Sequence, residues 1–276
     1  MISYPNISPE IFSFDIPGIG TIALRWYAVM YLMGYMIGFK IFKKRADKGL
    51  LNLSYQDLES YISYLIVGML LGARTFYVLF YNLEYYKENL SEILYVHHGG
   101  LSFHGAVVGM VIASFVFGKK KGVHFYALGD TLGYACTPGL FLGRMGNFIN
   151  AELYGRPTSV PWAMVFPTDS LALPRHPSQL YQGLTEGVLL FLFIRYYEAK
   201  KIKSKTLRRG EVGGVFLIGY AILRFLVEYT RQPDEQLGLV LGSLSMGQIL
   251  CLVMGMIGVA ILIHSHKTQP YYKTRS

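Results

Sequence analysis

Four arginines lie within or at the edges of long apolar stretches, where an ionised side chain is costly. They are Arg25, Arg74, Arg144 and Arg224. A charged side chain at the centre of a bilayer costs about 2.5–3.5 kcal/mol on insertion scales, so such residues usually face a partner or a cavity. A guanidinium group binds a phosphate through two parallel hydrogen bonds. These arginines therefore indicate where a site should be sought, and anion recognition is the chemistry that suits them.

The segment around Arg144 is the most polar of these surroundings. It reads GRMGNFINAELYGR over residues 143–156. Glycines there allow the backbone to approach a ligand, and Asn147, Asn150 and Glu152 are placed to orient Arg144 or to bond a hydroxyl group. The alternative is a glycine-rich helix end with an arginine that reaches for the interface. So many polar groups at one membrane edge favour a site.

A second arginine cluster ends another apolar stretch, in RFLVEYTRQPD (224–234). Arg224, Glu228 and Arg231 follow the i, i+4, i+7 spacing that places them on one face of a helix. Glu228 can then neutralise one arginine and orient it, while the other groups face a ligand. The same spacing is typical of an ion-pair ladder that joins two helices, and from this cluster alone both interpretations stay open.

Two histidines and a tyrosine complete the candidates. His104, in HHGGLSFHG (97–105), is a candidate general base because an imidazole titrates near neutral pH. The alternative is a hydrogen-bonding residue at a membrane interface. His176, before Pro177 at the start of a predicted helix, is the second candidate base or an interfacial anchor. Tyr27 is placed to line a site but is also typical of an aromatic belt.

The sequence has no motif of a nucleotide-binding loop, a HExxH metalloprotease or a paired-cysteine metal site. Cys136 and Cys251 each lie inside an apolar stretch and are expected to be small buried side chains. We therefore expect no metal and no cofactor. A reaction at these residues would draw on a substrate that is already activated, with departure of a phosphate-bearing group.

The elements that must position these residues are membrane-spanning helices. Hydrophobic residues make up 52% of the chain and charged residues 16%, against about 25% charged in soluble domains. Apolar stretches near the length of about 20 residues that a bilayer requires predict an all-α polytopic membrane protein, a single domain over residues 1–276. The predicted spans are 19–42, 60–82, 102–118, 125–146, 178–197, 212–230 and 245–264. An ordered or re-entrant loop is predicted at 147–177.

The net charge of +9 is explained by topology rather than by a nucleic-acid partner. Most basic residues lie in short connections on one side of the predicted spans. The other side holds only Lys87, Arg156, Arg175 and Arg231. Since Lys and Arg stay cytoplasmic, the N-terminus is predicted outside and the C-terminus inside, and the three polar clusters meet on the outer side. The polar N-terminal residues lack a basic region, so we expect no cleavable signal peptide.

The chain resembles the bacterial phosphatidylglycerol–prolipoprotein diacylglyceryl transferases. The segment GRMGNFINAELYGR is similar to the signature of that family. HGGLSFHG, RHPSQLYQ, RFLVEYTRQPD and SMGQIL follow the family pattern in order over essentially the whole chain.

The resemblance implies seven transmembrane helices with a small periplasmic head in the inner membrane. It also implies transfer of the diacylglyceryl group of phosphatidylglycerol to the lipobox cysteine of a preprolipoprotein. Arg144 and Arg224 would bind the phosphate, and His104 would be the base. The resemblance assigns further site positions to Tyr27, Asn147, Glu152, Gly155, Glu228 and Arg231. His176 is predicted to bind substrate from its place at the head of the fifth predicted span.

Two other classes of protein are weighed against a transferase. A transporter or flippase for an anionic lipid would also place arginines in a cavity, but repeated halves or paired broken helices are typical of it, and the sequence has neither. A membrane scaffold held by ion pairs would not need several polar clusters on one side of the membrane. The sequence favours the enzyme.

Overall fold

The computed structural model describes residues 2–18, 20–95, 99–232, 239–240, 244–267 and 270–272. Most of them are helical. The helices are α1 Trp26–Asp47, α2 Tyr55–Phe80, α3 Leu83–Glu88, α4 Phe103–Lys121, α5 Phe125–Ile149, α6 Ser178–Gln182, α7 Leu190–Lys203, α8 Glu211–Glu228 and α9 Met246–Ser265. The strands form three antiparallel pairs, namely β1 Glu10–Ile16 with β2 Gly20–Arg25, β3 Met164–Val165 with β4 Pro174–Arg175, and β5 Leu239–Val240 with β6 Leu244–Ser245.

Three of the described helices, α2, α4 and α9, are long and apolar enough to cross a membrane. Their lengths are 26, 19 and 20 residues, and a span needs about 20. The fold is therefore mainly helical and consistent with a membrane protein.

The prediction of a span that begins at residue 19 is wrong at its start. Residues 20–25 form strand β2, which pairs with β1, and α1 begins at Trp26. Gly18 and Gly20 have positive φ angles of 83° and 106°, which glycine adopts without steric cost in a tight turn. The Thr21 hydroxyl donates to the Asp15 carboxylate across the turn, 2.5 Å apart. The hydropathy pattern placed the start of the span too early because β2 is as apolar as the helix after it.

The chain forms two compact units, Met1–Phe42 with Asp130–Ser276, and Lys43–Gly129. In the second, α2 and α4 pack through facing glycines. A Cβ atom on Gly72 would lie 2.8 Å from the Gly109 Cα and closer still to the Gly105 carbonyl oxygen. The same pair of helices is joined by a buried hydrogen bond of 2.7 Å between the Tyr61 and Ser114 hydroxyls. Close glycine contact is a common means of joining helices in lipid.

Arg74 of the second unit is used structurally. Its guanidinium group donates to four backbone carbonyl oxygens, those of Glu92, Ile93, Gly99 and Gly100, at 2.6 to 3.0 Å. These bonds fix the connection between α3 and α4. Arg25 is likewise outside any site, since it is exposed on β2 and pairs with Glu10 at 3.2 Å. Two of the four arginines singled out by the sequence therefore have a local structural role.

In the first unit, α1 packs on α5 and α8 packs on α9, again through glycines. A Cβ atom on Gly34 would meet the Gly139 Cα at 3.3 Å, and one on Gly214 would lie 3.0 Å from the Gly258 carbonyl oxygen. The Asp130 carboxylate of α5 accepts from the Gly213 amide at 2.7 Å, at the start of α8. These contacts arrange α1, α5, α8 and α9 around the residues that form the candidate site.

The fifth predicted span, 178–197, corresponds to three consecutive helical segments. Helix α6 continues into a π-helical segment, Gly183–Leu189, and then into α7. Most π-helical segments are single widened turns inside an α-helix and are frequent at functional sites. The hydropathy pattern predicted the span but gave no indication of the π-helical segment. The loop predicted at 147–177 is present over 150–177, since α5 runs to Ile149, and it contains the β3–β4 pair.

We expect Gly72→Ala to destabilise the protein, because the added methyl group meets backbone atoms of α4 that cannot rotate away. Overpacking of this kind costs about 1–3 kcal/mol. The matched control is Gly129→Ala in α5, where a Cβ atom meets nothing within 4 Å. Thermal unfolding in detergent should show a lower midpoint for Gly72→Ala and no loss for Gly129→Ala. Equal midpoints for the two variants would contradict the close packing of α2 and α4.

Candidate functional site

Arg144 lies in the last two turns of α5 and is held by a chain of polar side chains. Its Nη1 donates to the Asn147 Oδ1 at 3.3 Å, and the Asn147 Nδ2 donates to the Glu152 Oε1 at 2.7 Å. The Asn150 amide donates to the same carboxylate oxygen at 3.3 Å. Asn147 is buried. These hydrogen bonds are compatible with a role of Asn147, Asn150 and Glu152 in orienting Arg144, and their part in a site stays a prediction.

The backbone after α5 turns sharply to place Glu152. Ala151 and Leu153 have positive φ angles of 53° and 58°, a conformation that costs a residue other than glycine of order 1–3 kcal/mol. The Glu152 amide donates to the Asn147 carbonyl and the Ala151 amide to the Phe148 carbonyl, as in a Schellman helix end. The strained turn directs the Glu152 side chain back toward Asn147.

Arg224 is held in a second chain at the end of α8. Its Nη1 lies 2.7 Å from the Glu228 Oε2, and the Nη1 of Arg231 lies 3.9 Å from the same oxygen. The other carboxylate oxygen of Glu228 accepts from the Ser245 hydroxyl at 3.0 Å. Ser245 caps α9, whose N-terminal dipole favours a nearby anion. The pairing of Glu228 with Arg224 that the spacing predicted is present, and α9 supports Glu228. The choice between a ligand site and an ion-pair ladder stays a prediction.

The two chains belong to one electrostatic cluster. Arg144 interacts with the charges of Arg224 and Arg231, and Tyr27 of α1 interacts with Arg144 and Glu152. Three guanidinium groups that converge in this way repel one another unless anions lie between them. The cluster is suited to hold a phosphate, for which arginine is the preferred partner.

Tyr27 reaches the cluster because glycine lies opposite it. A Cβ atom on Gly146 would lie 2.7 Å from the Tyr27 Cδ2, so only glycine leaves room for the ring beside α5. The Tyr27 hydroxyl hydrogen-bonds to that of Tyr31 at 2.9 Å. Tyr27 thus contacts α5 and interacts with Arg144, and its place in the site stays a prediction.

Gly155 joins three segments through its backbone. Its amide donates to the His176 carbonyl at 2.8 Å, and the next amide, that of Arg156, donates to the Thr230 carbonyl at 2.9 Å. A Cβ atom on Gly155 would collide with the Thr230 carbonyl oxygen, because it would lie closer than any real Cβ atom lies to a non-bonded neighbour. Arg156 also donates from Nε to the Arg231 carbonyl at 2.8 Å. Gly155 thus positions the Arg144 and Arg224 segments relative to each other.

The loop that carries His176 is fixed by a buried ion pair. Arg175 donates from Nε and Nη2 to the two carboxylate oxygens of Asp169, at 2.6 and 2.9 Å. The Leu171 and Leu173 amides donate to the same carboxylate. The hydrogen bonds that Arg175 donates hold the pKa of the Asp169 carboxyl below its usual range. This pair organises the loop between α5 and α6.

His176 is half-buried and hydrogen-bonded to Tyr181, whose hydroxyl lies 3.2 Å from its Nδ1. That hydroxyl also accepts from the Trp162 indole at 2.6 Å. Burial lowers the pKa of the His176 imidazole, which favours its neutral form. Its contacts match the anchoring alternative, and its assignment to substrate binding stays a prediction.

His104 belongs to the other compact unit, at the start of α4. It is exposed, and its ring stacks edge-on against Phe103 at 6.0 Å between centroids. Ser102, just before it, caps α4 and accepts from the Gly105 amide. The neighbouring His97 and His98, and Asp234 of the Arg224 segment, lie outside the described residues. The role of His104 as base stays a prediction.

Sequence reasoning missed Glu186 and Tyr220, which lie beside the arginines. Glu186 is fully buried in the π-helical segment and interacts with the charges of Arg224, Arg144 and Arg231. Tyr220 of α8 interacts with Glu186 as well. A carboxylate inside a predicted span was the available signal, by the same reasoning that selected the arginines. Among the described residues, no group of three His, Cys, Asp or Glu side chains is placed to hold a metal.

Comparison with known proteins places the chain in one family. The family model described as prolipoprotein diacylglyceryl transferase matches residues 15–264. A phosphatidylglycerol–prolipoprotein diacylglyceryl transferase of Bordetella parapertussis is 43% identical over 264 residues, which cover 95% of this chain and 97% of the relative. Relatives of the same name from Nitratidesulfovibrio vulgaris and Azospirillum brasilense are 41% and 40% identical, and the matches cover 95% and 96% of this chain and 96% and 97% of theirs.

We expect Asp169→Asn to lower the midpoint of thermal unfolding at neutral pH, because it leaves the buried Arg175 without its anion. Loss of one partner of a buried pair costs about 3–5 kcal/mol. The depressed pKa of Asp169 stabilises the fold fully above the ordinary Asp value of about 3.9, and this contribution is lost as the pH falls through the lower folded value. The difference between wild type and variant should therefore shrink below about pH 4.

The matched control for this prediction is Glu10→Gln, which removes the exposed ion pair with Arg25. Exposed pairs contribute about 0–1 kcal/mol, so this variant should unfold close to the wild type. A deficit of Asp169→Asn that stays constant from pH 7 to pH 3 would show that the carboxylate charge is not its cause.

Proposed function

The chain belongs to the prolipoprotein diacylglyceryl transferase family, and from that membership we propose that it transfers the sn-1,2-diacylglyceryl group of phosphatidylglycerol to the lipobox cysteine of a preprolipoprotein. The observation that carries the assignment to this site is the convergence of Arg144 and Arg224, each held by its own carboxylate chain. This reaction is the first step of lipoprotein maturation.

In the reaction, the cysteine sulfur forms a thioether bond with the diacylglyceryl carbon, and the bond from that carbon to the phosphate oxygen breaks. Glycerol 1-phosphate leaves, and the thiol proton passes to a base. The phosphate gains negative charge as the bond breaks, from a monoanionic diester to a monoester. Donors placed where charge develops contribute most to catalysis. Arg144 and Arg224 are therefore the residues that stabilise the departing group.

The chains that hold the two arginines support this role. Each guanidinium is fixed by neighbours before a ligand arrives, so little reorganisation is needed during the reaction. Asn147, Glu152 and Tyr27 support Arg144, while Glu228 supports Arg224 and lies near Arg231. Gly155 and His176 join the segments through their backbones.

An apolar groove of about 600 Å³ lies between α8 and α9, next to Arg224 along α8. Ala221, Ile222 and Phe225 line it from α8, and Leu252 and Met256 from α9. Mostly apolar pockets with a few polar groups at one end are typical of ligand sites. We assign the acyl chains of phosphatidylglycerol to this groove, with the phosphate at the arginines.

Seven membrane spans with the N-terminus outside and the C-terminus inside are part of the proposal. The basic connections after α1, α4, α7 and α9 support this orientation by the positive-inside rule. The site would then face the periplasmic side of the inner membrane, where a preprolipoprotein segment and membrane lipids meet. A thiolate is the nucleophile because a neutral thiol attacks poorly.

We expect Arg144→Gln and Arg224→Gln each to lower transfer to a lipobox peptide by at least about a hundredfold, the effect of losing one charge-stabilising donor. The measurement is release of glycerol phosphate from phosphatidylglycerol by purified protein in detergent. The matched control is Arg25→Gln, which removes an exposed arginine of the same chain and should keep full activity. Normal turnover by both site variants, with correct folding, would refute the site.

His104→Ala separates the two interpretations of His104. If the imidazole is the base, the variant should lose activity most strongly near neutral pH and regain part of it as the pH rises, because more of the thiol ionises. The measurement is the pH profile of transfer. Near-normal turnover across the pH range would mean that His104 is a hydrogen-bonding residue and that another group accepts the proton.

A further inference from the structure

Glu186 is a buried carboxylate that has no part in the reaction proposed above. Its side chain is fully buried. Among the residues that the structure describes, neither of its carboxylate oxygens has a hydrogen-bond partner of good geometry, although the Tyr220 phenol lies close enough to interact. A buried charge without hydrogen bonds is costly. Such a residue persists where nearby opposite charge stabilises it.

That opposite charge comes from the arginines of the site. The positive charges of Arg224, Arg144 and Arg231 all act on Glu186. All three belong to the same compact unit as Glu186. Glu152 reaches the cluster through Asn147, and Glu228 pairs with Arg224. With Glu186 ionised, three carboxylates balance three guanidinium groups in the unliganded site.

The local fold brings Glu186 to the arginines by close packing. Gly183 and Gly187 flank it, one turn apart, and both face α5. A Cβ atom on Gly183 would lie 3.4 Å from the Arg144 Cβ, and one on Gly187 would lie 2.8 Å from the Phe141 amide nitrogen. A π-helical segment, with its widened turn, is frequent at functional sites. The glycines therefore pack the π-helical segment that carries Glu186 against α5 at the base of the Arg144 side chain.

We propose that Glu186 is an anionic positioning residue that holds the guanidinium groups of Arg144 and Arg224 in the unliganded site. When the phosphate binds, its negative charge takes over the attraction that Glu186 exerts on these groups. This inference rests on the proposed function, since it takes the phosphate of phosphatidylglycerol as the ligand. Glu186 touches no reacting atom and acts through the arginines.

The charge of Glu186 also has a consequence for the product. Substrate brings one negative charge to a balanced site, whereas glycerol 1-phosphate leaves as a doubly charged monoester. Its repulsion by Glu186 is therefore greater than that of the substrate, which favours product release. Without the carboxylate charge, the site carries one excess positive charge and binds both anions more tightly, the product most of all.

The test is product inhibition by glycerol 1-phosphate, measured with the full-length protein in detergent. Glu186→Gln keeps the shape and removes the charge. We expect its inhibition constant for glycerol 1-phosphate to fall by roughly tenfold or more, with a lower KM for phosphatidylglycerol and a lower kcat. Glu186→Asp keeps the charge and should restore wild-type inhibition. A merely structural residue would change stability without this split between KM and kcat.

The matched control is Glu198→Gln, which neutralises another buried carboxylate on the same run of helices, in α7, and should leave the inhibition constant unchanged. If Glu186→Gln fails to fold, Glu186→Met, of similar size and without charge, takes its place and should show the same fall in the inhibition constant. Failure of both neutral variants to fold, or unchanged inhibition in the one that folds, overturns the proposal. If Arg144→Gln and Arg224→Gln retain activity, the proposed site itself fails instead.

Discussion

The structure of the site depends on one constraint, the cost of keeping guanidinium groups in an apolar surrounding. Arg224 pairs with Glu228 at 2.7 Å, and Arg144 reaches Glu152 through Asn147. Removal of a charge from water costs several kcal/mol, and opposite charge repays it only where the geometry is good. The capped start of α9 at Ser245, the strained turn around Glu152 and the π-helical segment with its buried Glu186 all supply that geometry.

Glycine is the second requirement, because the carboxylate chains only meet if the backbones approach closely. Gly146 makes room for Tyr27, and Gly155 makes room for the Thr230 carbonyl, with which a side chain would collide. Gly247 lies against the Glu228 carboxylate, which a Cβ atom there would meet at 2.7 Å. Each of these glycines lies one to three residues from a charged or polar group of the site. The alternation of glycine with polar residues in the sequence therefore reflects contact between segments as well as space for a ligand.

The sequence predicted the helical fold, the family and the group of polar side chains around Arg144, because these depend on local composition and spacing. The i, i+4 relation of Arg224 to Glu228 was read correctly for the same reason. The sequence did not predict the β1–β2 pair, since hydropathy does not distinguish an apolar strand from the helix that follows it. The structural use of Arg74 was also missed, because its partners are backbone carbonyls of a loop, which leave no residue pattern to read.

Glu186 shows why the remaining part of the site required three dimensions. In the sequence it is a single acidic residue between two glycines in an apolar stretch, and nothing local links it to an arginine. Its relation to Arg144 arises from packing of the π-helical segment on α5, and its relation to Arg224 from packing on α8. The three arginines come from α5, α8 and the turn that follows α8. Glu186 acts on all of them from a further element, the span that contains the π-helical segment.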